Sequence, residues 1–272
     1  MQLPFSDAAL AARLEAVSAS ENERFAEAAT RLDPSSPAAS TWIAGGCAVF
    51  CGPGAALNQA TGLGFSGPVT VEDIDTLEAF YNSRATATKV NVCPLAHPSL
   101  ARELSHRAYR IGDFENVLIR ALDPGDAPPA PDPAIDIREV GSEDYELWGH
   151  QIARGFSAPN EPTAADLDLG RLIAHQHGIV RFLAYVDDTP AGTGELAIRD
   201  GLGWLSADTT MPAFRGRGIQ AALQRTRLMR AWEAGCDFAV TESHPGSGSQ
   251  RNMERLGFRV AYTRVDMVQR EA

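Results

Sequence analysis

The chain has 272 residues, 44% apolar and 22% charged, enough to bury two ordinary cores and too apolar for a disordered chain. Its net charge of −11 argues against nucleic acid and against an anionic membrane as partners, and favours cationic substrates such as amines. Cys47, Cys51, Cys93 and Cys236 are too scattered for a disulfide framework or a zinc site and read as reduced thiols. With no leader-like N-terminus and no apolar run of membrane length, the expectation is a cytoplasmic protein.

In chain order, Ser6-Asp7 is placed to cap a first helix, Ala8 to about Leu32, which the prolines at 34 and 37 end. Trp42 to Cys51 reads as a strand and Ala55 to Thr61 as a second. Thr70 caps a helix from Val71 to Arg84, with Ile74, Leu77 and Tyr81 on one face. Lys89 to Cys93 is a short strand, Pro98 to Arg107 a short helix, and Tyr109 to Leu122 a strand or bent pair. The proline-rich segment 123–133 cannot join a helix or an interior strand, so it is the expected linker between domains 1–128 and 133–272.

Beyond it, Ile135 to Val140 is a strand, and Ser142 caps a helix that buries Tyr145, Trp148, Ile152 and Phe156. A helix from Ala165 to His175 follows. Strands Val180 to Val186 and Ala191 to Ile198 are joined by the turn sequence 187–190. Leu202 to Thr210 is the next strand, and a helix runs from Ile219 to the stop at Gly235. Asp237 to Ser243 is a strand, Ser247 and Gln250 have the spacing of a capping box, and Arg259 to Val268 is the last strand.

The most informative stretch is the turn 210–221, where Arg215-Gly216-Arg217-Gly218 joins a strand to a helix. Glycines let the backbone turn tightly with its N–H groups outward, and the first N–H groups of the helix have no partner inside it. With the helix dipole and two arginines, such a turn suits a phosphate. It lacks the Lys-Ser/Thr ending of a nucleotide-triphosphate loop and the G-x-G-x-x-G pattern.

The turn resembles the Q/R-x-x-G-x-G/A signature of the GNAT superfamily of acyl-CoA N-acyltransferases, with Arg215 first, Gly218 central and Gln220 where Gly or Ala is usual. Downstream, 249–258, ending Leu256-Gly257-Phe258, is similar to the family's second signature, and the resemblance covers about Ile135 to Val268. It implies acetyl-CoA as acyl donor and an amine-bearing acceptor. The contacts it implies are the turn residues Arg215, Gly216, Arg217, Gly218, Ile219, Gln220 and Ala221, and the strand backbone at Asp208, Thr209 and Thr210. Ser249 either touches the cofactor or only starts its helix. The fold implied is α/β, with two GNAT-like units, each a mixed, mainly antiparallel sheet flanked by helices.

Two units are expected because an ungapped shift of 149 residues brings Ala108-Tyr109-Arg110-Ile111 onto Gly257-Phe258-Arg259-Val260 and superposes helix, strand, helix and strand. Under Arg215 to Gly218 lie Ser66, Gly67, Pro68 and Val69, followed by Glu72, Asp73 and Asp75. Proline has no N–H to offer and the carboxylates repel pyrophosphate, so the first unit is expected to be degenerate and without cofactor.

For direct acyl transfer, Glu242 is the first choice of base, although strict alignment puts Thr241 at the family's usual place; Glu195 and Asp208 are alternatives. The tyrosine that serves as acid in many relatives is replaced by Met253, which leaves Tyr262, water, or no acid at all. His244 reads as a loop residue, and His175 and His177 lie on different faces of their segment, so no metal is expected. The rival reading is a non-catalytic acyl-CoA sensor. The acceptor and the oligomeric state are not legible.

Overall fold

The computed structural model describes residues 6–125, 127–130 and 132–269. The first part of the chain forms α1 (Ala8–Leu32), β1 (Ala39–Ile43), β2 (Gly46–Phe50), β3 (Gln59–Thr61), α2 (Val71–Asn82), β4 (Lys89–Val92), α3 (Ser99–His106) and β5 (Arg110–Ala121). The second part forms β6 (Asp136–Glu139), α4 (Tyr145–Ser157), α5 (Ala164–Ala174), β7 (Ile179–Val186), β8 (Thr189–Arg199), β9 (Leu202–Thr210), α6 (Ile219–Glu233), β10 (Phe238–Ser243), α7 (Gly248–Arg255) and β11 (Arg259–Val268). Single 3-10 turns precede α4 (Ser142–Asp144) and follow β9 (Pro212–Phe214).

Caps fix most helix starts where the sequence places them. Asp7 accepts from Leu10 N–H, and Thr70 with Asp73 forms a complete capping box on α2. At α7 only half of the expected box forms: Ser247 caps Gln250 N–H, while the Gln250 side chain accepts from Gly246 N–H at 2.7 Å.

Some expectations are corrected. Trp42 to Cys51 is not one strand but a hairpin, folded at Ala44 and Gly45, both with positive φ (48° and 83°). The strand expected from Ala55 shrinks to Gln59–Thr61. Ser142 begins a 3-10 turn instead of capping α4, and Phe156 is 58% exposed, off the face that buries Trp148 and Ile152.

Two compact units emerge, divided differently from the expected cut at the proline linker. One comprises the chain to Val117 together with Val260 onward; the other runs from Leu118 to Arg259. The physical reason is strand pairing and core membership. β11 pairs antiparallel with β4, Val265 opposite Val92 through Val268 opposite Lys89, and so completes the sheet of the first unit. Leu118 and Leu122 are buried in the core of the second unit, with Leu122 N–H bonded to Asp237 O at 2.8 Å.

In the first unit the order is β1-β2-β3-β4-β11 and then the start of β5; in the second it is the end of β5 and then β10-β9-β8-β7-β6. Parallel pairing occurs between β3 and β4 and between β9 and β10, inside sheets that are otherwise antiparallel where register is defined. The fold is thus α/β, with mixed, mainly antiparallel sheets. In the second unit helices cover both faces: Gly194 faces Arg227 of α6, whereas Glu195, its neighbour on the opposite face, meets Arg181, which reaches carbonyls at the end of α5.

The first unit buries a charged cluster beside its apolar core. Glu15 on α1 accepts from Tyr262 Oη (2.8 Å) and from Arg264 Nε (2.7 Å), all three essentially buried. Burying such charges is tolerated only when they are paired and hydrogen-bonded, as here. Burial also pushes the thiols of Cys47, Cys51 and Cys93 up to about 12, far from a nucleophilic form.

Candidate functional site

The end of β9 and the start of α6 form one continuous structure. Parallel pairing of β9 with β10 runs from Leu202 opposite Phe238 to Leu205 opposite Thr241 and then stops, although β9 continues to Thr210. The backbone of β9 beyond Leu205 is therefore unclaimed by β10. On its other edge, β9 carries a bulge: Glu195 faces Ser206 and Thr193 faces Thr209, so Ala207 and Asp208 oppose the single residue Gly194. Ala207 sits at φ 57°, a left-handed conformation costly for a residue with a Cβ.

After Thr210 the chain turns through Gly216 (φ 75°) and Gly218 (φ 82°) into α6. A Cβ at Gly216 would meet nothing within 4 Å, and one at Gly218 would meet only Ile135 Cδ1 at 3.8 Å, so both glycines face open space. Their need is conformational. Gly218 is the N-cap and has no side chain to cap with, and the first turn of α6 contains no acidic residue. The first intrahelical bond is Ala222 N–H to Gly218 O (3.0 Å), which leaves the N–H groups of Ile219, Gln220 and Ala221 without intrahelical acceptors. Arg215 and Arg217 are exposed beside them, Arg217 over the Phe214 ring at 5.5 Å. Uncapped donors, a positive dipole end and two cations fit a pyrophosphate.

Gln220 explains its own departure from the signature. Its side chain donates to Ser249 Oγ (3.3 Å) and accepts from Asn252 Nδ2 (2.7 Å), tying α6 to α7 while its backbone N–H stays at the helix start. Turn, strand end and Ser249 are thus brought together.

The base candidates separate. Glu195, 3% exposed, pairs with Arg181 (3.4 Å) and accepts from Ser206 Oγ (3.3 Å); burial holds the Arg181 guanidinium below its usual pKa. Asp208 accepts from Arg227 Nη2. Both carboxylates serve buried arginines. Glu242 is half-buried on β10, one residue past the last pair with β9.

Tyr262 is held by other partners. It belongs to the first unit, its hydroxyl bonds Glu15, and burial followed by the Glu15 charge pushes its phenol far above the ordinary range. Met253 is 2% exposed within the second unit's core.

Sequence reasoning missed a groove of about 380 Å³ beside the turn, lined by Gln151 and Arg154 of α4, by Asn160 and Glu161 and by Met211 and Phe214. No local pattern announces it, because its walls come from distant segments. Buried Arg227 was also missed, although it continues the stripe of Ile219 and Leu223 at four-residue steps.

Residues 145–258 match the acetyltransferase (GNAT) family. The matched residues lie within the second unit. None of the curated proteins matches the chain by sequence. Among solved structures, a GCN5-related N-acetyltransferase from Kribbella flavida is 19% identical with a TM-score of 0.64, over 92% of this chain and 96% of its own. A tandem GNAT protein from the clavulanic acid biosynthesis pathway is 15% identical with a TM-score of 0.54, over 71% of this chain and 67% of its own. These likenesses concern fold. The GNAT match brings acyl transfer as the general chemistry, and it spans both the Arg215–Gly218 turn and the Leu256-Gly257-Phe258 ending. Among the described residues no helix is long and apolar enough to cross a membrane.

Proposed function

We propose that the second unit, Leu118–Arg259, holds acetyl-CoA at the start of α6 and transfers its acetyl group directly to an amine of a small acceptor. The observation that carries this reading is the uncapped, doubly glycine-turned helix start flanked by Arg215 and Arg217, next to a strand whose edge is unclaimed by its neighbour. The N–H groups from Gly216 to Ala221 with the two arginines hold the pyrophosphate, and the backbone of Asp208, Thr209 and Thr210 holds the pantetheine arm. Ser249 lies next to the turn through Gln220. Acetyl-CoA supplies the activated acyl carbon.

Glu242 takes a proton from the amine as its nitrogen attacks that carbon, the carbon–sulfur bond breaks, and the departing thiolate takes its proton from water. Water fills this role because Met253 carries no transferable proton and Tyr262 is committed to Glu15. The groove beside the turn receives the acceptor, its walls offering Arg154 and Glu161 as charges of opposite sign. The first unit serves as a related unit without cofactor. No metal and no nucleic acid enters this scheme, and the protein acts in the cytoplasm.

A non-catalytic acyl-CoA sensor is the second reading, favoured by Met253 in place of the family's tyrosine. Release of free thiol from acetyl-CoA, measured across a panel of small amines, separates the two. A sensor binds without turnover. In the enzyme, Glu242→Gln is expected to lower kcat about a hundredfold while CoA affinity stays within about twofold. An unchanged rate and pH profile would place the base elsewhere.

A further inference from the structure

A fully buried charged group of the second unit lies beneath the bulge of β9. Arg227, two turns into α6, is fully buried. Its Nε donates to Leu223 O (3.1 Å), its Nη1 to Glu195 O (3.0 Å) and Ser206 O (3.0 Å), and its Nη2 to the Asp208 carboxylate. Glu195 and Ser206 are the last directly opposed residues before the register shifts, and Asp208 is a bulge residue. The guanidinium therefore takes up carbonyls on both strands at the point where the β8–β9 register breaks. Gly194 makes room for it: a Cβ there would lie 2.7 Å from Arg227 Cζ. From the other face, Thr193 Oγ1 donates to Ala207 O (2.9 Å) and meets Thr209 Oγ1 at 2.7 Å, closing the bulge around Ala207.

We infer that Arg227 is a positioning residue that holds the end of β9 in its bent form, and thereby sets affinity for the pantetheine half of CoA without touching the ligand. The inference rests on the functional reading above. Two observations make Arg227 specific to this task. Ala207 adopts φ 57° without the freedom of glycine, so the bulge needs external support. Lysine could not replace the support, because an ammonium is a compact point donor and lacks the planar fork that reaches carbonyls of two strands and a carboxylate together.

The experiment compares binding of CoA with binding of ADP, which carries the pyrophosphate but no pantetheine arm, by calorimetry on the full chain. Arg227→Lys is expected to weaken CoA by about tenfold to a hundredfold and ADP by no more than about twofold. Adding Ala207→Gly, which relieves the left-handed φ, should restore part of the lost CoA affinity. Equal losses for both ligands, or none, would overturn the inference, since general loosening of the domain weakens both. Should Arg227→Lys fail to fold, Ala207→Val alone must produce the same selective loss, because a β-branched residue resists that φ. If the wild type binds neither ligand, the functional reading falls as well; binding without selectivity in the variants sinks only the role of Arg227.

Discussion

The starts of α2 and α6 fall within one residue of each other under the shift of 149 residues, which also carries Ser99–His106 onto Gly248–Arg255. Their helix endings agree in detail: Ala108 and Gly257 are both left-handed (φ 59° and 88°), and Tyr109 N–H and Phe258 N–H bond back to Leu104 O and Met253 O. The helix starts differ where chemistry is concerned. At α2, Val69 N–H is bonded to buried Ser99 Oγ (2.7 Å), Thr70 and Asp73 cap each other's backbone, and Glu72 and Asp73 occupy the first turn. At α6 the cap is glycine, the acids are missing and two arginines stand alongside. One scaffold thus yields two outcomes. At α2 side chains of the protein satisfy the donors; at α6 they do not, which is the contrast behind the proposed anion site.

The strongest test of that contrast removes the open turn. Gly218→Val forces a β-branched residue to φ 82°, at a cost of about 1–2 kcal/mol or a rearranged turn. Because the Cβ would meet only Ile135 at 3.8 Å, the damage falls on the path of the backbone and not on core packing. CoA affinity is expected to fall about a hundredfold with the fold retained, and titration of the wild type should give one CoA per chain. A stoichiometry near two would mean that the capped turn at α2 binds as well.

A smaller effect follows from importing one feature of α2 into α6. Ala221→Asp places a carboxylate in the first turn, where Asp73 stands on α2. The dipole should make this neutral or stabilising by about 0.3–1 kcal/mol, while the added charge repels pyrophosphate and weakens CoA about tenfold. Opposite signs for melting temperature and affinity are the diagnostic. A loss of both would point to misfolding instead of electrostatics.

Much of this contrast is legible in the sequence, because it is local. Gly216, Gly218, Pro68 and the acids after Thr70 act on their own backbone, and periodicity with caps is enough to place the helices they begin. The membership of β11 in the first unit is not local: Val265 finds Val92 across the length of the chain, and no linker composition encodes that pairing. Buried arginines are similarly hidden. The carbonyls and carboxylates that receive Arg181 and Arg227 are placed only by the sheet. The partners of Glu195 and Asp208, the alternatives to Glu242, are hidden for the same reason, since a carboxylate on a strand looks free until its partner is known.

The gentlest test asks whether uncovering donors is sufficient to make a site. Thr70→Ala removes the hydroxyl that accepts from Asp73 N–H (3.2 Å) and breaks the capping box of α2. The expected cost is about 1 kcal/mol of stability, read as a modest fall in the chemical-denaturation midpoint. CoA stoichiometry should remain one. Pro68 still offers no N–H, Val69 N–H is still held by Ser99, and Glu72 and Asp73 still oppose an anion at the dipole end. A second binding event in this variant would show that the cap alone closes the first unit. Its absence locates the closure in the backbone and charge of the whole turn, features that a single substitution does not reverse.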